Sequence, residues 1–115
     1  MRGSMTALVI DEYNVHQLEV TQLLFEAAGK KQRPVKVMGT ISLADGLRWL
    51  ATNVYDVIFL HVEDGEGFVN QILRLHDRRN TPTIVSLGRM EGSKRVRHLT
   101  PPLSVGEIEK VISRL

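Results

Sequence analysis

Hydrophobic residues in this chain form short continuous runs that alternate with stretches of helical spacing. A short run that is apolar on both faces is typical of a strand inside a parallel sheet. The clearest example is Val57–Leu60, which is flanked by Asp56 and His61. The pattern predicts five strands, at residues 7–10, 35–38, 56–62, 81–87 and 96–99.

Stretches with apolar residues three and four positions apart follow four of these strands and predict helices. They span about residues 14–28, 43–52, 68–78 and 105–115. Asn14, Ser42 and Ser104 occupy N-cap positions, and the apolar stripe of the first helix includes Val15 and Leu18. This alternation predicts an α/β fold: a doubly wound, five-stranded parallel sheet in the flavodoxin-like order 2-1-3-4-5.

Composition narrows the possible classes of protein. The chain has 115 residues, 43% hydrophobic and 24% charged, which is ordinary for one soluble domain. It contains no cysteine, which excludes disulfides, thiolate metal ligands and cysteine nucleophiles. No apolar run approaches the ~20 residues of a membrane span. Residues 1–4 resemble an expression-vector leader, so we expect a tag remnant there and a single domain at 5–115.

Polar and proline-containing segments at the predicted strand ends resemble the receiver domain of bacterial response regulators. The segments that carry the resemblance are residues 10–12, 55–60, 82–85 and 99–104. Together they cover nearly the whole chain, from Ala7 to Leu115. The resemblance implies a cytoplasmic signal-transduction domain, placed at the N-terminus of a larger protein of a two-component system.

The residues at the functional positions depart from the family pattern. Receiver domains capture a phosphoryl group on an aspartate, with help from an acidic pair, a hydroxyl residue and a lysine. Carried over, the acidic pair is Asp11 and Glu12, the phosphoacceptor position holds His61, the hydroxyl position Leu87 and the lysine position Pro101. Imidazole cannot form an acyl phosphate, and leucine and proline cannot contact a phosphoryl oxygen with a side-chain donor. The resemblance therefore implies a pseudo-receiver, a non-catalytic interaction module without a cofactor.

Other uses of the same strand ends stay open. Asp11, Glu12 and His61 are weak candidates for a divalent-metal site, better suited to a transition metal than to magnesium, although we expect no metal. Asp64 is an alternative phosphoacceptor, three residues beyond the expected place. A phosphohistidine at His61 is disfavoured because no phosphate-binding fingerprint follows it. The other histidines, at 16, 76 and 98, are expected to be solvent-exposed.

Basic residues concentrate between the fourth and fifth strands, at Arg89, Lys94, Arg95 and Arg97. They indicate either ordinary surface charge or a loop that senses a small anion or nucleotide. The few aromatic residues make base stacking unfavourable, so nucleic acid is not an expected partner. Residues 88–95 are too few for an average helix, so the family's fourth helix is predicted to be absent or shortened. We expect a protein partner, or a second copy, to bind the face formed by strands 4 and 5 and the last helix.

The turn after the fifth strand contains two consecutive prolines. In the receiver family the corresponding bond before proline is commonly cis, although most bonds to proline in folded proteins are trans. The resemblance therefore predicts a cis peptide bond between Pro101 and Pro102.

Overall fold

The computed structural model describes residues 3–76, 81–87 and 96–115 of the chain. Strands and helices alternate along it. In chain order the elements are β1 (Met5–Asp11), α1 (Gln17–Lys30), β2 (Val35–Thr40), α2 (Leu43–Thr52), β3 (Val57–His61), α3 (Gly65–Leu75), β4 (Thr83–Ser86), β5 (Val96–His98) and α4 (Val105–Ile112).

The five strands form one parallel sheet in the order β2-β1-β3-β4-β5, which confirms the predicted topology. β1 lies between β2 and β3, with Ala7 opposite Val57 and Asp11 opposite His61. Because neighbouring parallel strands end at the same edge of a sheet, this register brings the side chains that follow β1 and β3 together. The candidate site is therefore built on the two most buried strands.

Helices cover both faces of the sheet, which explains why the central strand β3 is apolar on both faces. Successive side chains of a strand point to opposite faces. On β3, Phe59 packs in the cluster formed with α1 and α4, whereas Ile58 and Leu60 pack in the cluster formed with α2 and α3. All three side chains are buried. Trp49 of α2 packs at the border of the second cluster.

Three helices begin at side-chain caps. The Ser42 hydroxyl accepts a hydrogen bond from the Asp45 N–H at 3.2 Å. Ser104 and Glu107 form a reciprocal capping box at the start of α4. Both caps agree with the sequence prediction. Asp64 caps α3 by accepting a hydrogen bond from the Gly67 N–H at 3.0 Å.

The start of α1 differs from the prediction. The helix begins at Gln17, and Asn14 is not its cap but adopts the left-handed conformation, with φ of 55°. The preceding residues form a turn instead, because the N–H groups of Tyr13 and His16 donate to the side chain of Asp11. Val15 and Leu18, predicted to face the core, are exposed as a result.

The remaining expectations concern the end of the sheet. Residues 88–95, where we predict the fourth helix to be absent or shortened, lie outside the described residues. The described segments contain four helices, and α4 has only 8 residues.

The Pro101–Pro102 bond is cis, as predicted. Within the described segments, no helix has the length and apolar character needed to cross a membrane.

Truncation of Ile58 to alanine should reduce the free energy of unfolding by about 2–5 kcal/mol, because the cavity left in a packed core cannot fully collapse. Urea unfolding followed by circular dichroism measures this change. Val54→Ala is the control, since Val54 is 75% exposed and its truncation should cost no more than about 0.5 kcal/mol. A loss below about 1 kcal/mol for Ile58→Ala would contradict its place in the central strand.

Candidate functional site

The carboxyl ends of β1 and β3 bring the acidic pair and the histidine of the sequence analysis together. Asp11 lies opposite His61 in the sheet, and the Glu12 N–H donates to the His61 carbonyl oxygen at 3.0 Å. Parallel pairing of two buried strands thus positions three polar side chains at one edge. This is the edge at which open α/β sheets bind ligands.

Asp11 is the centre of this group. It is fully buried, and both carboxylate oxygens accept hydrogen bonds. Oδ1 accepts from the Tyr13 N–H at 3.1 Å and from the His61 ring at 2.8 Å. Oδ2 accepts from the His16 N–H at 2.5 Å.

The pKa of Asp11 reflects two opposing effects. Burial on its own would raise the pKa, because it disfavours the charged form. The hydrogen bond from the His16 N–H, the hydrogen bond and charge of His61, and the Tyr13 N–H together outweigh burial and lower the pKa below its ordinary value. The carboxylate is therefore ionised in the folded protein at neutral pH.

The hydrogen bond to Asp11 determines which His61 nitrogen is free. A carboxylate can only accept, so Nδ1 of His61 carries the hydrogen and donates it at 2.8 Å. In the neutral ring, the lone pair is then on Nε2. The His61 side chain is 21% exposed, so it is accessible to a small solute.

Two aromatic rings contact the imidazole of His61. The ring of Tyr13 and the ring of His16 each lie with their centre 4.9 Å from that of His61. His16 was predicted to be a solvent residue, and this prediction is wrong. The turn that precedes α1 brings His16 to the site, and only 19% of its side chain is exposed.

His16 also contacts α1 through its other edge. Its Nδ1 atom is buried, and no hydrogen-bond partner for it is found in the described segments. The nearest carboxylate oxygen, Oε2 of Glu19, lies 3.7 Å away. The other oxygen of Glu19 accepts from the Leu103 N–H at 3.1 Å, which anchors this carboxylate to the turn before α4.

Two further carboxylates border the site at the surface. Glu12 is exposed, and its Oε1 atom accepts from the Glu63 N–H at 3.0 Å. Desolvation and the negative charges of Glu63 and Glu12 raise the pKa of Tyr13 above its ordinary value. The rim of the site therefore carries negative charge.

Two of the other predicted positions, Leu87 and Pro101, have side chains without a polar atom. Leu87 is buried in the core cluster beneath α1 and α4, and Ser86 is on the opposite face of β4. Pro101 is half-buried in the turn after β5. Of the basic loop, only Arg97 is described, partly exposed on β5; Arg89, Lys94 and Arg95 lie outside the described residues.

Comparison with known proteins identifies the fold. No protein-family model matches the sequence, and no curated protein matches it. The receiver domain of the sensor histidine kinase PA1611 from Pseudomonas aeruginosa superposes with a TM-score of 0.73 at 17% identity, over 97% of both chains. The Vibrio cholerae chemotaxis protein CheY4 gives 0.71 at 18% identity, over 97% of this chain and 98% of its own.

A third similar structure is that of the pilus assembly protein CpaE from Caulobacter crescentus. It has a TM-score of 0.66 at 13% identity, and the match covers 97% of this chain and 93% of that one. The chain therefore has the response-regulator receiver fold, as the resemblance implied.

The PA1611 receiver structure contains a magnesium ion in its active-site cleft, so we tested whether the present residues fit that ion. Magnesium takes oxygen ligands in octahedral geometry. Here both Asp11 oxygens already accept hydrogen bonds, and His61 presents nitrogen. In the described part of the chain, no group of three or more His, Asp or Glu side chains is arranged to hold a metal ion. The site does not fit magnesium.

Replacing Asp11 by asparagine should lower the free energy of unfolding by about 1–3 kcal/mol at pH 6, because the amide nitrogen would face a buried donor. Because the pKa of Asp11 is lowered in the folded protein, its carboxylate stabilises the fold at pH values above its ordinary pKa of 3.8. This stabilisation is lost as the pH falls below 3.8 towards the lowered pKa. The difference in the free energy of unfolding between wild type and Asp11→Asn should therefore shrink as the pH is lowered from 5 to 3, about one unit on either side of the ordinary pKa. Urea unfolding across this range measures it.

Asp45→Asn provides the control. Asp45 pairs with Arg48 at the surface of α2, and such pairs contribute at most about 1 kcal/mol. If the difference in unfolding free energy between wild type and Asp11→Asn did not change with pH, this would contradict the stabilising role assigned to the charge of Asp11.

Proposed function

We propose that the chain is a regulatory receiver-like module that does not accept a phosphoryl group. The hydrogen bond between Asp11 and His61 carries this proposal. The side chain at the phosphoacceptor position is an imidazole, and the carboxylate that would otherwise serve the metal holds that imidazole in place. No acyl phosphate can form on this ring.

The surroundings of His61 support the same conclusion. Leu87, at the hydroxyl position, packs in the core, and Pro101, at the lysine position, has neither an ammonium group nor an N–H. The alternative acceptor Asp64 is engaged as the N-cap of α3. A phosphoryl group on Asp64 would have to displace that cap.

Such a module would act by protein contact, and the described surface suggests where. The sequence favoured the face formed by β4, β5 and α4. However, the exposed large apolar side chains near α1 are Val15, Leu18 and Phe25, at 63%, 69% and 52% exposure. Within α1, Leu18 and Phe25 follow with Gln22 and Gly29 the alternating four- and three-residue spacing of a helix-packing seam, and Val15 lies in the turn just before the helix. We propose this α1 seam as a second contact surface, used by another copy of the chain.

The chain should remain unmodified when it is incubated with acetyl phosphate and magnesium. Intact-mass spectrometry measures this, with a receiver domain that carries the usual aspartate treated in parallel as the positive control. A stable gain of one phosphoryl group would contradict the proposal. Peptide mapping of that adduct to Asp64 would establish the atypical phosphoacceptor instead.

Leu18→Glu and Phe25→Glu should each abolish self-association, because a charge in an apolar helix seam is costly to desolvate. Sedimentation velocity over a range of concentrations measures the dimer. Val54→Glu is the matched control, since Val54 is the most exposed of these apolar residues at 75% and lies outside α1. Wild-type protein that stays monomeric at ~1 mM, where binding is worth only about 4 kcal/mol, would contradict contact between copies.

The alternative of a small-anion or nucleotide sensor stays a prediction. Arg97, the described member of the basic loop, is partly exposed on β5, and a screen of anionic ligands against the whole chain tests it.

A further inference from the structure

One of two neighbouring imidazole rings at the sheet edge, that of His61, has an arrangement that is characteristic of metal-binding histidines. A histidine that binds a metal usually donates its other ring N–H to a carboxylate, which fixes the ring and its tautomer. Nδ1 of His61 donates to Asp11 at 2.8 Å. Nδ1 of His16 is buried and has no hydrogen-bond partner in the described segments; Oε2 of Glu19 lies 3.7 Å away, beyond hydrogen-bond distance.

The separation of the two rings fits coordination of one ion. Nitrogen ligands lie about 2.0–2.1 Å from zinc, so two imidazoles on one tetrahedral or octahedral ion have ring centres about 4.5–5.2 Å apart. The centres of His16 and His61 are 4.9 Å apart, with the planes tilted by 54°.

Charge and access favour a cation at this place. Each of the two histidine side chains is about one-fifth exposed, at 19% and 21%. Glu12 and Glu63 lie close enough to Tyr13, which packs on His61, for their charges to raise its pKa. A cation that approaches the rings therefore meets a negative rim.

We propose that His16 and His61 together bind a first-row divalent transition-metal ion, such as Zn²⁺, Ni²⁺ or Co²⁺. Imidazole nitrogen selects these ions over magnesium and calcium. The protein supplies two nitrogen ligands, and water fills the remaining positions, consistent with the lack of a third arranged ligand among the described residues. This site goes beyond the proposed function, and it does not involve phosphoryl transfer.

Isothermal titration of the whole chain with ZnCl₂, and separately with NiCl₂, tests the proposal, with MgCl₂ as the negative control. We expect one Zn²⁺ or Ni²⁺ per chain and no heat from MgCl₂ at the same concentrations. His16→Asn and His61→Asn are the test variants. Asparagine places an N–H donor near the position of Nδ1 but removes Nε2, so in His61→Asn the hydrogen bond to Asp11 can persist while the ligand is lost.

Each asparagine variant should bind at least tenfold more weakly than wild type. His76→Asn is the matched control, because the ring of His76 contacts the Ile72 carbonyl oxygen, away from the site. It should bind as wild type does. NMR of the imidazole protons should show shifts at His16 and His61 only.

Unfolding of each variant by urea verifies that it is folded before titration. Absence of Zn²⁺ and Ni²⁺ binding to the wild type would overturn the proposal. Equal affinity of wild type, His16→Asn and His61→Asn would overturn it as well, because the ion would then bind elsewhere. Neither result would bear on the acetyl phosphate experiment, so failure of this site and failure of the proposed function are distinguishable.

Discussion

The structure of the sheet edge depends on keeping one buried carboxylate paired. Asp11 is fully buried at the end of β1, where an ion without partners would carry a large desolvation penalty. Three donors from three places in the chain offset this penalty: the N–H of Tyr13, the N–H of His16 and the ring of His61. These bonds join the end of β1 to the end of β3 and determine the turn that leads into α1.

The sheet could be predicted because its signal is local and repeated. Helices cover both faces of the central strand β3, so every residue of Val57–Leu60 is apolar. Alternation of strand and helix then predicts a parallel sheet, and the structure confirms the predicted order 2-1-3-4-5. The caps at Ser42 and Ser104 were equally predictable, because a cap requires only residues that are three positions apart.

The start of α1 could not be predicted for the opposite reason. Asn14 is a good N-cap by residue type, and Val15 and Leu18 continue a helical stripe. The competing interaction is the carboxylate of Asp11, whose need for donors arises only from its burial in the folded sheet. Nothing in the spacing of residues 11–16 reveals that burial, so His16 was assigned to solvent and its place beside His61 was missed.

Because Asp11 pairs with His61, this edge of the sheet does not need a cation to balance two neighbouring carboxylates. An aspartate at position 61 would place a second carboxylate against Asp11, and like charges at that distance repel strongly unless a cation separates them. His61 supplies a hydrogen-bond donor instead, at 2.8 Å, and the pair is satisfied within the protein. The receiver fold therefore accommodates an imidazole beside the buried carboxylate, because the fold depends on pairing the buried charge and not on the chemistry built upon it.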